Sequence, residues 1–351
     1  MQLNISAVGM VRQASISLDH LTVIAGQNDT GKSTIGKVIF AIAHGLNDPL
    51  VKATQMGAAG DGEKADIARS IRHVFDLEFL DQALHKNGFK ESVIELKSGR
   101  ATAFRIKFAK EDELEIDEAA LREVTDATII EGPSIFQYAP LIMAVFDEHG
   151  MPYNKNDSLR IPYHAVDLAR KLQSPSTAST AQKEQLVSEV QKFIDALKPQ
   201  SRYLYEKQGF TCKEEKKGKS LKAGNVASGV KALSVLAALA HAGYIHKKTI
   251  LIFDGPETSL HPEWQIAYAH IICKLADLGV KVVLTTHSPY MLEAIKEFTK
   301  NNPETKFYVS YQDSEGYIAY QDTMGDITPL INALSRPLYD LINTDDDDDE
   351  F

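Results

Sequence analysis

The chain has 351 residues, of which 44% are hydrophobic and 25% are charged, so we expect an ordinary globular protein with a sizeable core. Six of its ten surplus negative charges lie in one acidic run at residues 345–350, and the rest of the chain is too close to neutral to demand nucleic acid. Cys212 and Cys273 are too few for a disulfide framework or a cysteine metal site. Residues 1–20 lack a signal-peptide pattern and no apolar run is long enough to span a membrane, so we expect a cytoplasmic protein without membrane contact.

The first 45 residues predict two or three strands, a loop and a helix. An apolar run at residues 21–25 leads into Gly-Gln-Asn-Asp-Thr-Gly-Lys-Ser at residues 26–33, and a helical pattern follows. A strand, a glycine-bounded loop that ends in Lys-Ser, and a helix together form a P-loop. Backbone N–H groups of such a loop, and the positive end of its helix, face phosphate oxygens. The sequence therefore predicts a nucleotide-binding site, with a glycine-rich turn that binds nothing as the alternative. The P-loop alone leaves kinases, GTPases, helicases and transport-type ATPases open.

Two side chains of this loop have separate predicted roles. Lys32 would reach the β- and γ-phosphates, and the Ser33 hydroxyl would bind Mg²⁺. The residues predicted to bind the nucleotide here are Gly26, Asn28, Asp29, Thr30, Gly31, Lys32, Ser33 and Thr34.

The middle of the chain changes character several times. Residues 92–96 and 103–108 alternate apolar and polar side chains around a Ser-Gly turn, which predicts a hairpin, and residues 127–130 predict a further strand. From about residue 141 to 200 the pattern is helical with loops. Sustained heptads are absent, so a long coiled coil is excluded.

From residue 225 onward, helices and strands alternate. An apolar strand, a helix that begins near Pro262 and ends near Gly279, and a second apolar strand predict a parallel β–α–β unit. The predicted elements are a helix at 229–242, strands at 249–253 and 281–286, and a terminal hairpin of 307–311 with 317–320.

Three segments in this half carry candidate functional residues. Asp254 ends a buried strand at the edge where α/β sheets bind ligands, so it would hold Mg²⁺, although an aspartate that caps a turn is the alternative. Ser228 and Gly229 begin an apolar helix whose amides would receive a γ-phosphate, but an ordinary N-cap serine fits equally well. His287 follows the next strand at the same edge and would sense the γ-phosphate or the attacking water, with a structural histidine as the alternative.

Together these segments resemble the ABC-type ATPase family, in the branch with SMC proteins, RecF and the OLD-type ATPases. Residues 26–33 match its Walker A motif, Ala227-Ser228-Gly229 stands where Leu-Ser-Gly is usual, residues 254–262 look like its Asp-Glu-Pro-Glu-x-x-Leu-His-Pro motif, and residues 285–289 are similar to its Thr-Thr-His-Ser-Pro switch. The resemblance implies an α/β fold with a mostly parallel sheet flanked by helices, an antiparallel β subdomain and an inserted helical lobe.

The same resemblance suggests how the chain is divided. Residues 1–45 and 200–330 would form the ATPase core, and residues 46–199 an inserted β-hairpin and helical lobe. A C-terminal helix and a disordered acidic tail would occupy residues 331–351.

The family also implies a mechanism in which two copies trap two ATP molecules between them. Each ATP would touch the P-loop of one copy and Ser228, Gly229 and Lys231 of the other. Gln137, which lies between Walker A and the signature segment, would be the glutamine that binds Mg²⁺ or water.

One position departs from the family pattern. Family members usually have glutamate directly after the Walker-B aspartate, whereas this chain has Gly255. Loss of a general base typically slows a reaction by about 10²–10⁴-fold. A turn at Gly255-Pro256 would swing Glu257 inward as a substitute, and His287 is the other candidate catalytic residue.

The leading interpretation is an ATP-dependent switch subunit that forms a homodimer or higher oligomer around ATP and controls a separate effector, a nuclease or another toxin. This looks like the AAA-family ATPase subunits of bacterial anti-phage systems of the Septu type. The alternatives are a RecF-like repair ATPase that clamps duplex DNA and, because of Gly255, an ATP-bound scaffold that does not hydrolyse.

Overall fold

The structure is a computed structural model, and it describes most of the chain. The described residues are 1–47, 70–71, 73–75, 92–99, 101–108, 113–116, 124–149, 161–173, 187–192, 201–206, 209–214, 219–258 and 260–343. The acidic run at 345–350 and much of the predicted lobe therefore lie outside the described residues.

The first half of the chain supplies strands on both sides of the P-loop helix. Its elements are β1 Gln2–Val8, β2 Val11–Ser17, β3 Leu21–Ala25, α1 Lys32–Asn47, β4 Ser92–Ser98, β5 Ala101–Phe108, β6 Glu113–Ile116, β7 Asp126–Ile130, α2 Ile135–His149 and α3 Tyr163–Gln173.

The second half begins with a small antiparallel sheet and then alternates strands and helices. Its elements are β8 Ser201–Glu206, β9 Gly209–Glu214, β10 Lys219–Lys222, α4 Ser228–Ala242, β11 Thr249–Asp254, α5 Pro262–Asp277, β12 Lys281–Thr286, α6 Pro289–Phe298, β13 Lys306–Gln312, β14 Ile318–Asp322 and α7 Thr328–Asn343.

One large mixed sheet organises the described residues. Its strand order is β6-β5-β4-β1-β2-β14-β13-β3-β12-β11-β7. The run from β13 to β7 is parallel throughout, while β6, β5, β4, β1 and β2 pair antiparallel with one another as an arm. The expected α/β fold is confirmed, because a parallel core carries the P-loop strand between two neighbours.

The strands β4 to β7 lie within this same sheet, where β4 pairs with β1 and β7 pairs with β11. The described strands β4 to β7 therefore extend the sheet of the core at both edges. The division of the chain at residues 46 and 200 stays a prediction about domains. The sheet of β8, β9 and β10 is separate from the large one.

Helices cover both faces of the parallel strands. Every residue of β3 is buried, as expected for a central parallel strand. Leu21, Val23 and Ala25 pack into a core shared with α4, α5 and α6, whereas Ile24 packs into a second core shared with α1. This two-sided burial fixes the register of β3, so the loop that follows always leaves the sheet at the same edge.

Candidate functional site

The P-loop is shaped by the β13–β14 hairpin behind it. A side chain on Gly26 would overlap the backbone carbonyl of Ser310, and a Cβ on Gly31 would lie 2.9 Å from Ile318 Cδ1 and 3.1 Å from the Tyr320 hydroxyl oxygen. Gly31 also has a φ of +65°, which favours glycine. The Tyr320 hydroxyl donates to the Gly31 carbonyl at 2.6 Å. Both motif glycines are thus required by tight packing.

Lys32 bonds to backbone carbonyls of its own loop. Its Nζ donates to the Gly26 carbonyl at 2.9 Å and to the Gln27 carbonyl at 2.5 Å. Burial lowers the pKa of the Lys32 ammonium, and the charges of Asp254 and Glu257 only partly oppose this. Among the described residues, the hydrogen bonds of this ammonium go to carbonyls and not to a carboxylate, which suits a group that receives phosphates.

A cavity of about 450 Å³ opens where β3, β11, β12 and β7 end. It brings together most of the predicted loop residues with the two predicted sheet-edge residues, although Gly26 and Thr34 do not line it. The lining residues are Asn28, Asp29, Thr30, Gly31, Lys32, Ser33, Glu131, Asp254, Gly255, Thr285, Thr286 and His287.

Asp254 is held at the end of β11 by the neighbouring strand. Its carboxylate accepts a hydrogen bond from the Thr285 hydroxyl, and the Gly255 N–H donates to the Thr285 carbonyl at 3.1 Å. Gly255 has a φ of +57°, so the chain turns sharply directly after the carboxylate. The position that usually carries the family glutamate is thus a left-handed turn residue.

This turn directs Glu257 toward the end of β12. Glu257 is only 5% exposed, and its Oε1 accepts from the Thr286 hydroxyl at 2.9 Å and from the His287 backbone N–H at 2.7 Å. His287 Nδ1 lies 3.1 Å from the same oxygen. Glu257 itself does not line the cavity, whereas His287 does. A carboxylate on Nδ1 leaves Nε2 of His287 as the nitrogen available for proton transfer.

Glu131 is a cavity residue that the sequence predictions missed. It follows β7 directly, as Asp254 follows β11, and the two strands are parallel neighbours. His164 Nε2 lies 2.7 Å from its carboxylate. That hydrogen bond, opposed by burial, holds the pKa of Glu131 below its ordinary value. The pattern that identified Asp254, an apolar strand followed by an acid, is also present at residues 127–131.

The residues predicted to act across a dimer lie away from this cavity. Ser228, Gly229 and Lys231 occupy the first turn of α4, and none of them lines the cavity of their own chain. Ala227 caps this helix and provides no side-chain hydrogen bond, so Ser228 is the first helical residue rather than the N-cap. The expected N-cap serine is not found.

Gln137 is not brought to the cavity either. It is exposed in the first turn of α2, and its Nε2 lies 4.0 Å from the position of a Cβ on Gly224. Its predicted role as a metal ligand has no supporting contact in the described residues, because the strand end that reaches the cavity from this part of the chain is Glu131.

The donor set of the cavity fits Mg²⁺ and a triphosphate. The Ser33 hydroxyl and the Asp254 and Glu131 carboxylates are hard oxygen ligands, and Mg²⁺ usually uses one or two carboxylates together with substrate phosphates. Among the described residues there is no group of three acidic, histidine or cysteine side chains that could hold a metal without such phosphates.

Comparison with known proteins agrees with this geometry. The family model described as "AAA domain, putative AbiEii toxin, Type IV TA system" matches residues 147–293, which include Asp254 and His287. A search of curated proteins found no match.

Solved structures of SMC heads share the fold. An Smc head bound to the C-winged helix domain of ScpA is 13% identical, with a TM-score of 0.51, and the match covers 92% of this chain and 97% of that one. An Smc head with an extended coiled coil, bound to the C-terminal domain of ScpA derived from Pyrococcus furiosus, is 13% identical with a TM-score of 0.50, over 97% and 98% of the chains.

The fold is similar to that of SMC heads. The P-loop and the match to the AAA-domain model agree with a nucleotide-binding site at this sheet edge. None of the described helices is both long and apolar enough to cross a bilayer.

Proposed function

We propose that this ABC-type ATPase head binds ATP with Mg²⁺, pairs with a second copy around the nucleotide, and hydrolyses it slowly to switch a separate effector. The single observation that carries the proposal is the cavity, because it brings Lys32, Ser33, Asp254 and His287 to one sheet edge from separate parts of the sequence.

The cavity residues divide the chemistry between them. Lys32 and the loop amides would hold the β- and γ-phosphates, and Ser33, Asp254 and Glu131 would hold Mg²⁺. The bound metal ion supplies neutralisation of phosphate charge. His287 would accept the proton of the attacking water, and Glu257 would orient its ring and stabilise the imidazolium. This pair would replace the glutamate that Gly255 lacks.

Pairing through ATP is supported by the position of α4. The residue that caps α4 provides no side-chain hydrogen bond to the first turn of the helix. The residues of that turn predicted to contact ATP do not line the cavity of their own chain. A helix N-terminus of this kind favours an anionic group. The γ-phosphate of a second copy's ATP is the anion that the family mechanism would place there.

For the effector, we propose a separate nuclease or another toxin, within a Septu-type anti-phage system. The description of the matched family names a toxin and a toxin–antitoxin system, and this agrees with a role beside a toxic partner. A cytoplasmic location also stays part of the proposal.

The catalytic part is tested by Glu257→Gln. We expect steady-state ATP turnover to fall by about 10²–10⁴-fold while ATP affinity is retained, because Glu257 acts through His287 and not on the nucleotide. His287→Asn should cost a similar factor, and the double variant little more, since the two residues act as a unit. Glu293→Gln, at an exposed position on α6, is the matched control.

Wild-type turnover in Glu257→Gln would contradict this role. If the wild-type protein releases no phosphate, alone or with its native partners, the scaffold interpretation replaces hydrolysis. Sedimentation with and without ATP tests pairing, and purification from the native host, with identification of what co-purifies, tests the effector. Salt-sensitive, ATP-stimulated binding to duplex DNA would instead favour a clamp.

A further inference from the structure

An indole ring fills the space beside Gly229. A Cβ on Gly229 would lie 2.6 Å from Trp264 Cε3 and 2.8 Å from its Cδ2. Such distances leave no room for any side chain. Trp264 stands in the first turn of α5 and is partly buried against the core that includes α4 and α5. The bare backbone of α4 therefore lies directly on the tryptophan.

Backbone conformation does not explain this glycine. Gly229 is helical and has no positive φ, so other residues would adopt its backbone angles without strain. The described contact that requires glycine at this position is the one with Trp264. Close approach to a phosphate is a second possible requirement, and the two can be separated by experiment.

Hydrogen bonds connect the start of α5 to the segments that carry Glu257 and His287. Gln265, the residue after Trp264, donates from Nε2 to the Leu260 carbonyl at 2.9 Å and accepts from the Ser288 hydroxyl at 2.5 Å. Leu260 closes the loop that carries Glu257, and its N–H donates to the Glu257 carbonyl at 2.9 Å. The first turn of α5 thus holds both the Glu257 loop and the segment after His287.

We propose that Trp264 is a positioning residue that joins the start of α4 to the Glu257–His287 pair of the same copy. The inference rests on the proposed function, in which α4 touches the ATP of a second copy. Nucleotide held by α4 from one copy would then set the position of the catalytic pair that serves the other nucleotide. Trp264 is the side chain through which the two ATP sites of a dimer are coupled.

The experiment changes side-chain volume on the two sides of the contact between Gly229 and Trp264. Gly229→Ala adds a methyl group that overlaps the indole, Trp264→Leu removes the overlapping ring atoms, and the double variant combines them. For each variant we would measure the free energy of unfolding without nucleotide and the ATP affinity at protein concentrations that keep the chain monomeric. We would also measure ATP-dependent dimerisation and the Hill coefficient of ATP turnover. Ile266→Ala, at an exposed position on the same helix, is the control.

We expect Gly229→Ala to weaken ATP-dependent dimerisation by about 5–150-fold, the usual range for coupling between sites, with monomer ATP affinity unchanged. The double variant should recover most of that loss. Trp264→Leu alone should keep monomer ATP affinity, and its Hill coefficient should fall toward one. Unchanged monomer binding with lost cooperativity is a result that a merely structural role would not give.

Three outcomes overturn the proposal. If the double variant dimerises as poorly as Gly229→Ala, the glycine serves the phosphate and not the indole. If Trp264→Leu turns over ATP with wild-type cooperativity, the tryptophan does not couple the sites, and this variant decides the matter even where Gly229→Ala fails to fold. A wild-type protein that stays monomeric in ATP refutes the proposed function and the coupling together, while rescue of unfolding stability would still establish the contact.

Discussion

Two lysines at opposite edges of the parallel sheet show how differently this fold uses the same side chain. Lys32 lines an open cavity at the edge where the strands end, and within the described part of the chain it donates to backbone carbonyls. Lys171, on α3, lies near the start of β7 and is 2% exposed. Its Nζ donates to Asp126 at 2.7 Å and pairs with Asp167 at 2.9 Å.

The protein groups around Lys171 already supply the hydrogen-bond partners of its ammonium, so a ligand would gain few hydrogen bonds there. Its Nζ also donates to the Ala127 carbonyl at 2.9 Å and to the Thr128 hydroxyl at 2.8 Å, and His44 of α1 lies 3.6 Å from Asp167. Burial would lower the pKa of Lys171, but the two carboxylates outweigh it and raise that pKa, in contrast to Lys32. A buried lysine with paired carboxylates is structural, and one without them is suited to bind an anion.

The largest effect that separates the two sites is expected from Lys171→Met. The substitution removes the lysine cation from the partly buried Asp126 and from the buried Asp167. Asp167 keeps Arg170 at 2.9 Å and His44 nearby, and breaking such a buried pair costs about 3–5 kcal/mol. Denaturant unfolding measures the loss. Lys192→Met, at an exposed lysine paired with Glu189, should change stability by less than about 0.5 kcal/mol. Equal stability of the two variants would show that the buried cluster is not structural.

Lys32→Ala should weaken ATP binding and leave stability nearly unchanged, in contrast to Lys171→Met. Each charge-assisted hydrogen bond contributes about 1.5–3 kcal/mol, so losing two to the phosphates should weaken ATP binding by about 100-fold or more. The free energy of unfolding should change far less than in Lys171→Met, because the lost partners are the Gly26 and Gln27 carbonyls of the loop, and the bond to Gln27 is exposed to solvent. Titration calorimetry with ATP and Mg²⁺ measures the affinity, with the exposed Lys300→Ala as control. Unchanged affinity would remove the P-loop from the proposed site.

Acid should weaken the buried cluster around Lys171 once Asp167 becomes protonated. Burial would raise the pKa of the Asp167 carboxyl, but Lys171, His44 and Arg170 outweigh burial and hold it below the ordinary value. Its stabilising contribution is therefore complete above about pH 4, the ordinary range for aspartate, and is lost as the pH falls through the folded-state value. Unfolding stability measured between pH 7 and pH 3 should fall less steeply in Asp167→Asn, and an identical slope would contradict this.

The smallest effect is expected behind the P-loop, where neutral groups hold Lys32's loop in place. The buried Ser310 hydroxyl lies 2.7 Å from the Thr30 hydroxyl. Ser310→Ala should cost about 1 kcal/mol of stability and weaken ATP binding only slightly, since the lost hydrogen bonds, to Thr30 and to the Ala25 carbonyl at 3.4 Å, are neutral. Ser314→Ala, exposed in the same hairpin, is the control. A loss of ATP binding as large as that in Lys32→Ala would mean that Ser310 has a direct role.

The success of the sequence predictions depended on how local each signal was. The P-loop, the strand before Asp254 and the helix from Pro262 follow from contiguous patterns, and the structure contains all three elements. Gly279, predicted to end that helix, has a φ of +88° just beyond it. Glu131 carries the same strand-then-acid pattern as Asp254, but which strand neighbours β11 is a tertiary fact. Gln137 was chosen by its order in the chain, and order does not specify which residue reaches a sheet edge.

The sequence by itself determined the phosphate-binding loop, the parallel strands around it and the absence of a glutamate at position 255, because each depends on neighbouring residues. Only the tertiary structure decided that Glu257 stands behind His287, that Glu131 joins Asp254, and that Trp264 lies on Gly229. These contacts join residues from separate elements, so they exist only once packing fixes the distances between those elements.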